Sequence, residues 1–170
     1  MAMNSDQIKL VLGRLCHGRR KLRGYKIQYG CIGSDILETL EIKGYPFALC
    51  VNDQPSWMKG SHWVGLYIEA PGRPLEFFCS FGRSMLTYPK YFNDFAVKNN
   101  LSYNQAPFDL QGLDSSFCGH HVIYFLYTRL RGISFSSFYF GYKRHTPYEN
   151  DEKVKKFVDR VYSGKPYVTL

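Results

Sequence analysis

The chain has 170 residues, 45% of them hydrophobic and 21% charged, the proportions of one globular domain over residues 1–170 with a core of its own. No apolar run is long enough to cross a bilayer and the N-terminus lacks a signal-peptide core, which excludes a membrane-spanning or secreted class. The formal charge of +8 points toward polyanionic partners, while five widely spaced cysteines without a CxxC (Cys16, Cys31, Cys50, Cys79 and Cys118) argue against a disulfide framework or a metal site and for a soluble intracellular protein in a reducing compartment.

Ser5 reads as the N-cap of a helix over residues 5–16, with Ile8, Val11, Leu12 and Leu15 at helical spacing. A basic stretch follows, in which Arg14, Arg19, Arg20, Lys21, Arg23 and Lys26 crowd together around Gly18 and Gly24, and it reads as an extended loop with one short strand. For Arg19, Arg20, Lys21 and Arg23 two readings stand. One is contact with nucleic-acid phosphates, indifferent to base sequence because no zinc finger or RNP motif is present, and the other is a solvated face.

Ser34 and Asp35 are expected to cap a short helix through Leu40, stopped by Gly44 and Pro46. Strands are predicted over 47–51, 62–68 and 75–81, a helix over 89–99 and a further strand over 101–106. Residues 118–131 form the main helix, apolar on nearly every side and therefore buried. After an aromatic, Ser-rich segment, residues 151–162 form an amphipathic helix with Val154, Phe157, Val158 and Val161 on one face, near the second basic group of Lys153, Lys155, Lys156 and Arg160. The fold class is α+β: a small central mixed sheet packed against a buried helix, with further helices at both ends.

The chemistry centres on Gln111–Gly112 and Cys118–Gly119, at the loop entering the main helix. A thiol at a helix N-terminus faces free N–H groups and the positive end of the dipole, which favour thiolate over thiol. Gly119 leaves that thiol accessible, and Gln111 can lend a side-chain N–H to a developing oxyanion. His62 opens a strand from which its ring reaches a cleft as acid and base, and Trp63 beside it walls that cleft. His121, on the same helix face as Cys118, is a rival base, ranked lower because a buried helix would more often pack it away.

The ordered set His62–Trp63, Phe81–Gly82, Gln111–Gly112 and Cys118–Gly119 resembles the adenain family of adenovirus maturation proteases over residues 5–140, and more distantly the ubiquitin-like-protein proteases that share its fold. The resemblance implies the adenain-like cysteine proteinase fold, a thiol protease with Cys118 as nucleophile and His62 as base and acid, and an oxyanion hole of Gln111 and the Cys118 backbone N–H. It also implies viral or virus-like transposon precursor proteins as substrates, often cut next to glycine during particle maturation. No cofactor is required for the chemistry, although a peptide or DNA serves as activator in the adenoviral enzyme. The implied location is the host nucleus or cytoplasm, or the virion itself.

One position departs from the pattern. Where the family carries the acidic residue that orients the histidine stands Cys79, within Phe77–Phe78–Cys79–Ser80–Phe81–Gly82. A neutral thiol is a weak acceptor and neither fixes the imidazole tautomer nor stabilises imidazolium as a carboxylate does. Glu76 falls on the opposite strand face. Three explanations stand: a working Cys–His dyad, a substitute acceptor such as Ser80 or water, or a silent member of the fold that binds protein or nucleic acid. Removal of a ubiquitin-like modifier is a further alternative to endopeptidase activity.

Overall fold

The computed structural model describes residues 2–17, 21–22, 24–106 and 109–165, with Lys21, Leu22 and Tyr25 as backbone only. In chain order these form α1 (Ser5–Cys16), the strands β1 (Lys21–Leu22), β2 (Tyr25–Lys26) and β3 (Gln28–Ile32), a 3-10 turn (Ser34–Glu38), β4 (Phe47–Asn52), β5 (Trp63–Ile68) and β6 (Leu75–Phe78). A second 3-10 turn (Met85–Thr87), α2 (Tyr91–Lys98), β7 (Tyr103–Gln105), α3 (Cys118–Leu130), α4 (Phe135–Lys143) and α5 (Pro147–Tyr162) follow. The protein is α+β, built on a five-stranded mixed sheet in the order β3-β4-β5-β6-β7. β4, β5 and β6 run antiparallel, while β3 and β7 join their neighbours in parallel at the two edges.

The near-continuous apolar runs of β4 and β5 are those of strands covered on both faces. Alternation sends Phe47, Leu49, Val51, Val64, Leu66, Ile68, Leu75 and Phe77 to one face, where they meet Phe92 and Phe95 of α2. The other face carries Ala48, Cys50, Tyr67 and Phe78, which pack on Val122, Phe125 and Leu126 of α3. Gly65 lets α3 come close, since a Cβ there would stand 2.8 Å from the Phe125 ring. Further along α3, Arg129 reaches back to Glu76 on β6 through two parallel hydrogen bonds of 2.6 and 2.8 Å. That pairing confirms that Glu76 faces away from the side of the sheet to which Cys79 points.

Several boundaries differ from the sequence expectations, each for a local reason. The cap of α1 is Asn4 rather than Ser5, because Asn4 and Gln7 exchange side-chain and backbone hydrogen bonds in a capping box. Three strands, not one, occupy the segment after α1. The expected helix from Ser34 is only a 3-10 turn, and Asp35 instead accepts from the backbone and hydroxyl of Ser56 at 2.6 and 2.8 Å. The C-terminal helix starts at Pro147, where Thr146 and Glu149 form another capping box. α4 lies in the aromatic, Ser-rich segment, for which no element is predicted from sequence; Ser134 caps it, and Phe138, Tyr139 and Tyr142 turn one face inward.

Candidate active site

Two elements meet at one end of the sheet: the chain entering β5 and the first turn of α3. Asp53, just after β4, accepts from the backbone N–H groups of Ser61 (3.1 Å) and His62 (2.9 Å) and from the Ser61 hydroxyl, and its own N–H donates to the His62 carbonyl at 2.9 Å. These bonds fix the backbone from which the His62 ring projects. Because His62 has the parity of Val64 and Leu66, its ring falls on the α2 face of the sheet. Gly65 pairs with Phe78, so Cys79, the next residue, arrives on that same face. The result is a contact of 3.5 Å between His62 Nε2 and Cys79 Sγ. The position expected to hold an acid therefore does address the histidine, as a thiol. Cys79 Sγ also lies 3.1 Å from the Tyr88 hydroxyl, and the His62 ring packs on Phe81 and Tyr88.

Cys118 is the first residue of α3 and is 8% exposed. The backbone N–H groups of Trp63 and Gly119 hydrogen-bond its thiol. The Trp63 contact sets the sulfur against the residue that follows His62, but the cavity that Cys118 and Trp63 line does not include His62, whose ring lies on the α2 face against Cys79, Phe81 and Tyr88. Burial nevertheless raises the Cys118 pKa overall, and the nearby Asp53 carboxylate adds to the rise; the backbone donors offset it only in part. Burial likewise lowers His62 from its ordinary 6.5 to about 4, against the upward pull of Asp53, with Arg83 and His121 lowering it further. At rest Cys118 is thus a thiol and His62 a neutral imidazole, and the thiolate expected from the helix dipole is outweighed by desolvation.

Gln111 is buried and fully engaged. Its Oε1 accepts from the Ser80 hydroxyl at 2.6 Å, and its Nε2 donates to the carbonyl and hydroxyl oxygens of Ser115 at 2.8 and 2.9 Å. Ser115 must release one of these before the amide can serve an oxyanion. Ser80, expected as a substitute acceptor for His62, instead holds Gln111. His121, the rival base, is fully buried and gives Nε2 to Asp151 at 2.7 Å, while the same carboxylate accepts from the Gly112 N–H. It braces the loop that carries Gln111.

Trp63 walls a cavity of about 550 Å³ that Cys118 lines together with Met3, Cys31, Ile36 and Met58, and its indole N–H is anchored to the Met3 carbonyl at 3.1 Å. Gly119 packs behind the thiol, where a Cβ would come within 3.3 Å of Ile8 and Trp63. Its smallness serves that packing as well as access. Arg19, Arg20 and Arg23 lie outside the described residues, and the side chain of Lys21 does too. On α5, Lys155 pairs with Asp159 and Lys156 with Glu152, so much of the C-terminal basic group is a self-neutralised helix face. Among the described residues no group of three or more His, Cys, Asp or Glu could hold a metal ion, and no helix is long and apolar enough to cross a membrane.

Three residues with a part in this arrangement were not singled out from sequence. Asp53 falls in the loop after β4 and Asp151 at the first position of the expected C-terminal helix, and no local pattern marks either as part of a site. Tyr88 sits between Pro89 and the second 3-10 turn, with no local pattern that distinguishes it from the other tyrosines. No family model and no curated protein matches the chain.

Proposed function

We propose that this chain is an adenain-like cysteine endopeptidase that cleaves viral or transposon precursor proteins during particle maturation. The observation that carries the reading is the junction of β5 with α3. There the Cys118 thiol receives the Trp63 N–H beside His62, whose Nε2 is turned to Cys79. With Nε2 so turned, Nδ1 is the nitrogen left for the thiol. Cys118 gives its proton to His62 Nδ1 as sulfur attacks the scissile carbonyl, and His62 returns it to the departing amine; water then hydrolyses the thioester with the same histidine as base. Because the resting pair is neutral, His62 acts as a general base during attack rather than as half of a standing ion pair. Precursor proteins are the partners in this reading, DNA or a short peptide supplies activation, and the host nucleus, cytoplasm or virion is the location.

Purified protein with candidate precursor peptides from its own genome, with and without DNA, tests the proposal. Cleavage that disappears in Cys118→Ala is the expected result, and failure to cut any such peptide sinks it. A second reading, a silent member of the fold that binds protein or nucleic acid, is favoured by the commitment of both Gln111 amide hydrogens to Ser115. Tight precursor binding without cleavage would select it.

A further inference from the structure

The weak point of the site is that a thiol has one proton and could give it to the wrong neighbour. Cys79 Sγ has two polar neighbours, His62 Nε2 at 3.5 Å and the Tyr88 hydroxyl at 3.1 Å. If the Cys79 proton pointed at Nε2, the imidazole would carry its own proton on Nδ1, toward Cys118, and could not accept another there. If it points at the phenol oxygen, sulfur offers only lone pairs to the histidine.

We propose that Tyr88 is the positioning residue of this site: its hydroxyl oxygen takes the single proton of Cys79, leaving the sulfur to accept Nε2–H and holding His62 in the tautomer whose Nδ1 is bare. The inference rests on the reading of Cys118 and His62 as the catalytic pair, and it concerns how that pair works without a carboxylate.

The surroundings of Tyr88 fit this role. The residue follows the 3-10 turn Met85–Thr87, and its backbone N–H is tied to the Met85 carbonyl at 3.1 Å. Its ring is held edge-on by Phe77 at 5.4 Å and by Phe92 at 5.6 Å, and stacks near His62 at 6.3 Å. Tyr88 is half-buried, so its own hydrogen is free to turn to water while an oxygen lone pair faces the sulfur. Cys79 is 1% exposed, so no solvent competes for its proton. The groups acting on the His62 charge are Asp53, Arg83 and His121, and among the described residues no carboxylate hydrogen-bonds the ring. The tautomer is therefore left to the Cys79–Tyr88 pair.

The test reads the tautomer directly. In ¹⁵N-resolved imidazole spectra of the full chain at neutral pH, wild-type His62 should be protonated at Nε2, and Tyr88→Phe should move it wholly or partly to Nδ1. Against a cleavable peptide, Tyr88→Phe should lower kcat about tenfold with KM nearly unchanged. In the double variant Cys79→Asp, Tyr88→Phe that loss should vanish relative to Cys79→Asp alone, because a carboxylate has no proton to misdirect. A wild-type His62 protonated at Nδ1, or a Tyr88→Phe protein whose tautomer stays at Nε2, overturns the proposal. If the wild type cleaves no peptide, the protease reading fails, while the spectra still decide the role of Tyr88.

Discussion

The sulfur of Cys79 stands 3.5 Å from Nε2 of His62, where a carboxylate would have paired with the imidazolium. A carboxylate there would stabilise the protonated ring, which sulfur as a weak acceptor does not. Cys79→Asp should therefore lift the His62 pKa from about 4 toward the ordinary value. The base form is the active one, so the acid limb of kcat/KM should move to higher pH as kcat rises roughly tenfold or more. Steady-state rates against pH for both proteins check this. An unmoved limb with an unmoved kcat would mean that the site gains nothing from an acid.

Cys118 is expected to be the first cysteine alkylated by iodoacetamide, because it lines the Trp63 cavity at the start of α3 with the Trp63 and Gly119 N–H groups at its thiol, whereas Cys31 in the same cavity is tied to the Cys50 thiol and Cys50 and Cys79 are sealed in the sheet. The pH dependence is the sharper readout. Burial holds the thiol above its ordinary range, so the rate should keep climbing with pH into the alkaline region. A plateau reached below neutral pH, followed by mass spectrometry of the modified peptide, would instead reveal a standing thiolate–imidazolium pair.

Much of this architecture was legible in the sequence because it rests on local patterns. Short continuous apolar runs placed β4 and β5, and a glycine-flanked cysteine before an apolar run placed the start of α3. The face shared by His62 and Cys79 follows from the side-chain period of two once the β5–β6 register is set. What stayed hidden is set by contacts between distant segments. The Asp151 brace on His121 and Gly112, the hold of Ser80 and Ser115 on Gln111, and the approach of Tyr88 to Cys79 all join elements whose spacing carries no signal. The charge states were misjudged for a related reason: the helix dipole is visible in sequence, whereas the desolvation that outweighs it at Cys118 appears only after packing.

Buried histidines should make the protein sensitive to mild acid. His62 and His120 are both held at about 4 by burial, and His121 is lowered by the same cause. The unfolded chain, with histidines near 6.5, binds these protons first, so stability falls as pH drops from about 6.5 toward 4 and is regained on the way up. His62 and His120 are each expected to contribute on the order of 3 kcal/mol over that range. The lowered carboxyls of Asp35 and Glu149 act in the same direction at lower pH, and the raised carboxyl of Glu76 opposes them. Urea unfolding at neutral pH and near the acid end of this range measures the difference, and equal midpoints would contradict the buried, neutral state of these rings.

The carboxylate of Asp151 ties α5 to the site, with one oxygen 2.7 Å from His121 Nε2 and the other 3.2 Å from the Gly112 N–H. Asp151→Ala would leave two buried donors without acceptors, at a cost of about 3 kcal/mol in unfolding free energy. Asp151→Asn keeps one good acceptor and should lose less. Gly112 follows Gln111, and a Cβ at Gly112 would stand 2.8 Å from this carboxylate, so the loop is seated against Asp151 with no slack. Loosening it lets Gln111 drift from Ser80 and Ser115. If Gln111 serves the oxyanion, Asp151→Ala should lower kcat by roughly tenfold at temperatures where the variant is still folded. It should do so without changing the alkylation rate of Cys118, whose own donors come from Trp63 and Gly119. A variant destabilised as expected but with full kcat would show that Gln111 does not depend on this brace, and a variant of wild-type stability would show that the Asp151 contacts carry no net weight.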